Sequence, residues 1–154
     1  MTDMDREQLL TAIRSAIAAA PNAQSAMTQA VRLLKDAVPY YNWVGIYVID
    51  GNELVLGPFL GKPSPHTRIP VGSGICGAAA AEKATIVVDE VNADPRYLAC
   101  SVETQSEIVV PIMRGLDVLG EIDIDSDQRA AFGQPDRTLL EPVAAMLAER
   151  MAED

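Results

Sequence analysis

Cysteine and histidine are scarce in this chain: Cys76, Cys100 and His66 are the only residues of either type. A structural zinc site normally takes four Cys or His ligands, so three such side chains argue against one, and no metal is expected. There is no Cys-x-x-Cys pair, and a reducing compartment would keep both cysteines as thiols. Excess positive charge is missing as well. With 12 Lys and Arg against 22 Asp and Glu, the net charge is −10. That balance repels phosphate and argues against both nucleic acid and an anionic membrane surface as partners. No apolar run approaches the ~20 residues that a membrane span needs. The start, Met1-Thr2-Asp3-Met4-Asp5-Arg6, has neither the basic region nor the apolar stretch of a signal peptide, so the cytoplasm is the expected compartment. Internal repeats and linkers are absent from the pattern too.

What is present reads as an ordinary globular protein, 49% hydrophobic and 22% charged. A chain of 154 residues suits one domain, which at this length buries roughly two-thirds of its unfolded surface. Leu9, Leu10, Ile13 and Ile17 recur at helical spacing, Pro21-Asn22 breaks that helix, and Met27, Val31, Leu34 and Val38 mark the stripe of a second. After Pro39 the texture changes. Trp43 to Ile49 is a strand by its β-branched and aromatic content, Asp50-Gly51-Asn52 a tight turn, and Leu54-Val55-Leu56 the returning partner. Gly57 to Pro70 holds four prolines and two glycines and reads as a loop or irregular edge. A short helix is expected over Ala78 to Glu82, a strand over Thr85 to Val88, and a loop from Asp89 to Ser101. Two further strands, Ser106 to Met113 and Val118 to Asp125, turn near Arg114-Gly115, and a final amphipathic helix starts near Pro135. Helices at both ends around hairpin-connected strands predict an α+β fold with a largely antiparallel sheet. The terminal helices should lie side by side on one face of it. The expected organisation is one domain over 1–154: helices in 1–38, sheet and pocket loops in 39–132, and a closing helix in 133–154.

Several residues can carry chemistry. Cys100 lies in a polar loop before a strong strand, where a thiol can reach a ligand, rather than inside an apolar run where a structural cysteine usually packs. Cys76 follows Gly72-Ser73-Gly74 into a helix. It is either a small packing residue between glycines or a thiol whose anion the helix start would stabilise. Asp123 and Asp125 stand two apart on a strand and point the same way, opposite Ile122 and Ile124. With Glu107 they form either a solvated outer face or a cluster whose mutual repulsion and burial favour holding a proton, which can then be donated to a leaving oxygen. Acidic residues in excess read as a solubilising surface or as the lining of a pocket for an amine-bearing molecule. His66, without a partner cluster in sequence, reads as a solvent-exposed loop residue. Trp43 and Tyr47 share a strand face with Gly45 between them, and form either core or a pocket wall opened by that glycine.

Asn42-Trp43-Val44-Gly45-Ile46-Tyr47, Leu54-Val55-Leu56-Gly57-Pro58-Phe59, Gly61-Lys62-Pro63, Arg68-Ile69-Pro70, Gly74-Ile75-Cys76-Gly77, Ala99-Cys100, Ser106-Glu107-Ile108-Val109-Val110-Pro111 and Asp123-Ile124-Asp125-Ser126 follow one another in register. From about Asn42 to Phe132 this string resembles the free methionine-(R)-sulfoxide reductases, which are stand-alone GAF domains. The resemblance implies reduction of free methionine (R)-sulfoxide to methionine through a cysteine sulfenic acid. Cys100 matches the attacking cysteine and Cys76 a second redox cysteine. Glu107, Asp123 and Asp125 match acids that bind and polarise the substrate, and Trp43 matches an aromatic pocket wall, with Tyr47 beside it. A homodimer, no cofactor, and recycling by thioredoxin or a similar dithiol are implied as well. The chain departs from the pattern at Gly61-Lys62-Pro63-Ser64-Pro65-His66-Thr67-Arg68, where Pro65 or His66 falls at the place of the family's usual third, resolving cysteine. The alternative expectation is therefore a catalytically altered GAF domain that binds an amine-bearing ligand as a sensor or regulator.

Overall fold

Six strands form one sheet in the computed structural model, which describes residues 1–98 and 101–153. They are β1 (Trp43–Asp50), β2 (Glu53–Leu60), β3 (Arg68–Pro70), β4 (Ile86–Val88), β5 (Ser106–Arg114) and β6 (Asp117–Ser126). Hydrogen bonding orders them β3-β2-β1-β6-β5-β4, with every neighbouring pair antiparallel. The helices are α1 (Asp3–Ala19), α2 (Ala23–Ala37), α3 (Gly74–Glu82) and α4 (Gln134–Glu153). This is the expected α+β architecture. No described helix is long and apolar enough to cross a membrane.

Alternation along the strands divides the molecule into two layers. On one face Val44, Ile46, Ile108, Val110, Ile112, Ile122 and Ile124 meet α1, α2 and α4 in the larger core. The stripes read from the sequence supply the other side: Ile13, Ile17, Val31, Leu34, Leu140 and Leu147 are all buried there. Thr2 and Asp5 close a capping box at the start of α1, and the Asn22 side chain accepts from Ser25 N–H at 2.8 Å to start α2. Asp136 ties α4 to the sheet. Its Oδ1 accepts from the hydroxyls of Tyr40 and Tyr41, each at 2.7 Å, and its Oδ2 accepts from Gly133 N–H at 2.9 Å. At the far end of α4, Arg150 donates to the Ile17 and Ala20 carbonyls, which α1 leaves unpaired at its C-terminus.

The opposite face carries α3 and a smaller core of Trp43, Tyr47, Leu54, Ile69, Ile75, Cys76, Ala79 and Val109. Two stretches differ from the sequence expectation here. Strand β2 continues through Gly57-Pro58 to Leu60 rather than stopping at Leu56. It does so because Pro58 falls at a bulge, where the pairing shifts from Tyr47↔Leu56 to Gly45↔Phe59, and where β3 no longer pairs with β2. Helix α3 begins at Gly74, four residues before Ala78, so Cys76 lies within its first turn.

Candidate active site

Two strands, β5 and β6, place the acidic side chains. Glu121, Asp123 and Asp125 occupy alternate positions of β6 and point away from the helical layer, while Ile122 and Ile124 point into it. Across the ladder Asp125 pairs with Trp43 on β1 and Glu107 on β5, Asp123 with Gly45 and Val109, and Glu121 with Tyr47 and Pro111. The result is one row of carboxylates on the face that α3 covers. All four are buried: Glu107 and Asp125 are 5% exposed, Asp123 3% and Glu121 0%. A solvated outer face, one of the two readings left open by the sequence, is thereby excluded.

Burial dominates the electrostatics of the row. It pushes the carboxyl groups of Asp123, Asp125 and Glu121 above their ordinary range, and the charge of Asp123 pushes Asp125 and Glu121 further. Neither oxygen of Glu121, nor Oδ1 of Asp123, nor Oδ1 of Asp125 has a hydrogen-bond partner. Cys76 hangs from α3 over this row, its Sγ 3.9 Å from Glu107 Oε2. Burial raises the thiol well above its usual range, and Asp123, Glu107, Glu121 and Asp125 raise it further. The start of α3 therefore does not produce a thiolate here: desolvation and four acids outweigh the helix end.

The aromatic wall depends on glycines. The Trp43 indole N–H donates to the Lys62 carbonyl at 2.9 Å, and its ring stacks on Phe59 with centroids 5.7 Å apart. A Cβ on Gly45 would stand 2.3 Å from Trp43 Cη2, so only glycine leaves room for the ring. A Cβ on Gly61, at φ +133°, would stand 2.6 Å from Trp43 Cδ1. The Tyr47 hydroxyl donates to the His66 carbonyl at 2.8 Å. That bond folds the Pro-rich segment back onto the site and leaves His66 half-buried rather than solvent-exposed as expected.

Two cavities flank the row. One, of about 140 Å³, is bordered by Trp43, Lys62, Ser64, Ser101, Thr104 and Asp125 among others. The second holds about 20 Å³ between Tyr47, His66, Cys76, Leu98, Glu107 and Asp123. The structure thus brings Cys76, Trp43, Tyr47, Glu107, Asp123 and Asp125 to one place. Cys100 lies outside the described residues; its described neighbours Leu98 and Ser101 border one cavity each. Glu121 is missing from the sequence reading, although its two-residue spacing from Asp123 puts it on the same face.

A curled antiparallel sheet with helices on one face and an acid-lined pocket on the other defines the class: the chain belongs to the GAF domain family, whose model matches residues 5–151. Among curated proteins it is 36% identical to the free methionine-R-sulfoxide reductase of Escherichia coli over 78% of this chain and 72% of that protein. Among solved structures it superposes on free methionine-R-sulfoxide reductase from Neisseria meningitidis in complex with its substrate, with TM-score 0.92 and 36% identity over 99% of this chain and 92% of that one. The fRMsr of Staphylococcus aureus, also in complex with its substrate, gives TM-score 0.87 and 34% identity over 95% of each chain. Within the GAF family, the chain belongs with the free methionine-R-sulfoxide reductases.

Proposed function

We propose that this protein reduces free methionine (R)-sulfoxide to methionine, using Cys100 as the nucleophile. The observation that carries the reading is the buried acid row ending at Asp125, where β6 meets a cavity walled by Trp43. A buried carboxyl pushed above its ordinary range holds a proton more readily, and a sulfoxide oxygen can accept that proton. The remaining carboxyls of the row offer acceptors for the substrate's ammonium group, whose positive charge favours their ionised form. That demand favours the free amino acid over a methionine inside a peptide, which has no such group.

In the proposed sequence the Cys100 thiolate attacks the sulfoxide sulfur. The oxygen passes to the cysteine sulfur with a proton from Asp125 or Glu107, methionine leaves, and Cys100 is left as a sulfenic acid. Condensation with the Cys76 thiol then releases water and forms a disulfide. Thioredoxin or a similar dithiol reduces that bond and restores both thiols. This scheme assigns the resolving role to Cys76 because His66 or Pro65 occupies the place of the family's third cysteine. The same departure favours the second reading, a GAF domain that binds an amine-bearing ligand without turnover. As in the sequence-based expectation, the reductase is proposed to work in the cytoplasm as a homodimer.

Glu107→Gln and Asp125→Asn test the proton donor. Both variants are expected to fold, with circular dichroism unchanged, and each is expected to lose at least about tenfold in kcat, the lower part of the range for a general acid. Unchanged turnover in both would remove the carboxyls from the chemistry.

A further inference from the structure

We propose that His66 carries the proton of the recycling step, taking it from the Cys76 thiol and giving it to the hydroxide that leaves Cys100. This inference rests on the reductase reading and on Cys76 as the resolving thiol. It gives a role to the chain's only histidine, which the attack on the sulfoxide leaves unused. His66 is half-buried, in a segment whose backbone Pro63 and Pro65 restrict. Its carbonyl accepts from the Tyr47 hydroxyl at 2.8 Å, and its own N–H donates to Ser64 Oγ at 3.1 Å. The next carbonyl, that of Thr67, accepts from Leu56 N–H at 2.9 Å. These bonds fix the residue against β1 and β2. There it borders the cavity of about 20 Å³ whose wall also holds Cys76, Glu107 and Asp123. That volume has room for about one water, enough to pass a proton between imidazole and thiol. Leu98, two residues before Cys100 in sequence, borders the same cavity.

The chemistry of recycling asks for such a group. Cys76 attacks only as a thiolate, yet burial and the neighbouring acids hold its proton in place. A neutral imidazole that takes this proton becomes a cation and so favours the thiolate beside it. Imidazole is also the side chain that accepts and returns protons near neutral pH. In the step, the Cys76 S–H bond breaks and its proton passes to His66. The thiolate bonds to the Cys100 sulfur, and the S–O bond of the sulfenic acid breaks with its electron pair. The departing hydroxide takes the proton back from the imidazolium and leaves as water. The Cys100 sulfur is reduced, the Cys76 sulfur is oxidised, and His66 ends as neutral as it began.

The test follows a single turnover of the full, reduced chain with free methionine (R)-sulfoxide and no added reductant. Methionine released reports the first step. Mass spectrometry after acid quench and alkylation reports the disulfide between Cys76 and Cys100. His66→Gln keeps a polar side chain that cannot carry the proton, and His66→Ala leaves space for added imidazole. Both variants are expected to release methionine and then to form the disulfide at least about tenfold more slowly than the parent, the lower part of the range for acid–base transfer. Added imidazole should restore the rate in His66→Ala. Equal disulfide rates in parent and variants, or a slow His66→Ala that imidazole does not restore, would overturn the shuttle and leave the reductase reading standing. Methionine release without a Cys76–Cys100 disulfide in the parent would overturn it as well. No methionine from the parent would instead overturn the reductase reading, and the shuttle with it.

Discussion

Glu121 sits in the interior with neither oxygen hydrogen-bonded, and burial together with Asp123 raises its carboxyl well above the ordinary range. The folded state therefore binds this proton more tightly than the unfolded chain does. Its effect on stability is neutral below the unfolded pKa and turns unfavourable as the pH rises from there toward the folded value. Glu121→Gln, which removes the ionisation but keeps a polar side chain, is accordingly expected to gain on the order of 1 kcal/mol at pH 8, about the equivalent of one pKa unit. Near pH 4 the gain should vanish. Chemical denaturation at the two pH values measures this, and a variant no more stable than the parent at pH 8 would contradict it. The residue scale is also where the sequence is most ambiguous. Glu121-Ile122-Asp123-Ile124-Asp125 has the alternation of a half-exposed strand, and the shared direction of the acids follows from that period alone. Whether they meet water depends on α3 and the 61–67 segment lying over them, which is a long-range arrangement. His66 was misread for the same reason, since its position is fixed by a bond from Tyr47, nineteen residues away.

The hairpin of β1 and β2 shows what elements add. Its register brings Gly45 opposite Phe59, past the bulge at Pro58, and the indole of Trp43 lies in the space that a Gly45 side chain would fill. Gly45→Ala should displace the ring without unpairing the strands. The expected outcome is a rise of about tenfold in KM for methionine sulfoxide, equivalent to about 1.4 kcal/mol of binding, with kcat changed less. An unchanged KM would mean that Trp43 does not wall the substrate pocket. Most elements were legible because long periodic segments announce themselves, as in α2, β5 and β6. The early start of α3 was not, because Gly74-Ile75-Cys76-Gly77 carries little helix propensity. There the glycines answer to packing: a Cβ on Gly77 would lie 2.6 Å from the Pro70 carbonyl oxygen. The continuation of β2 was hidden in turn by Gly57-Pro58, residues that punctuate loops far more often than bulged strands.

At the scale of the whole molecule, the sheet separates a helical layer from a reactive one. The helices carry the larger core and the acids sit on the other side, so substitutions in the site need not unfold the domain. The helical layer also leaves the outer faces of α1 and α4 for the proposed homodimer. Light scattering at micromolar concentration is expected to give twice the 16.5 kDa chain mass, and a monomer at that concentration would remove the dimer from the account. The central claim concerns turnover. It is tested by incubating the purified, reduced protein with free methionine (R)-sulfoxide, once with dithiothreitol and once with a thioredoxin system, and measuring methionine released. Release with both reductants is the predicted result, since Cys100 performs the reduction and Cys76 allows recycling. No release with either reductant, from protein that is folded and reduced, would contradict the account and leave a ligand-binding GAF domain.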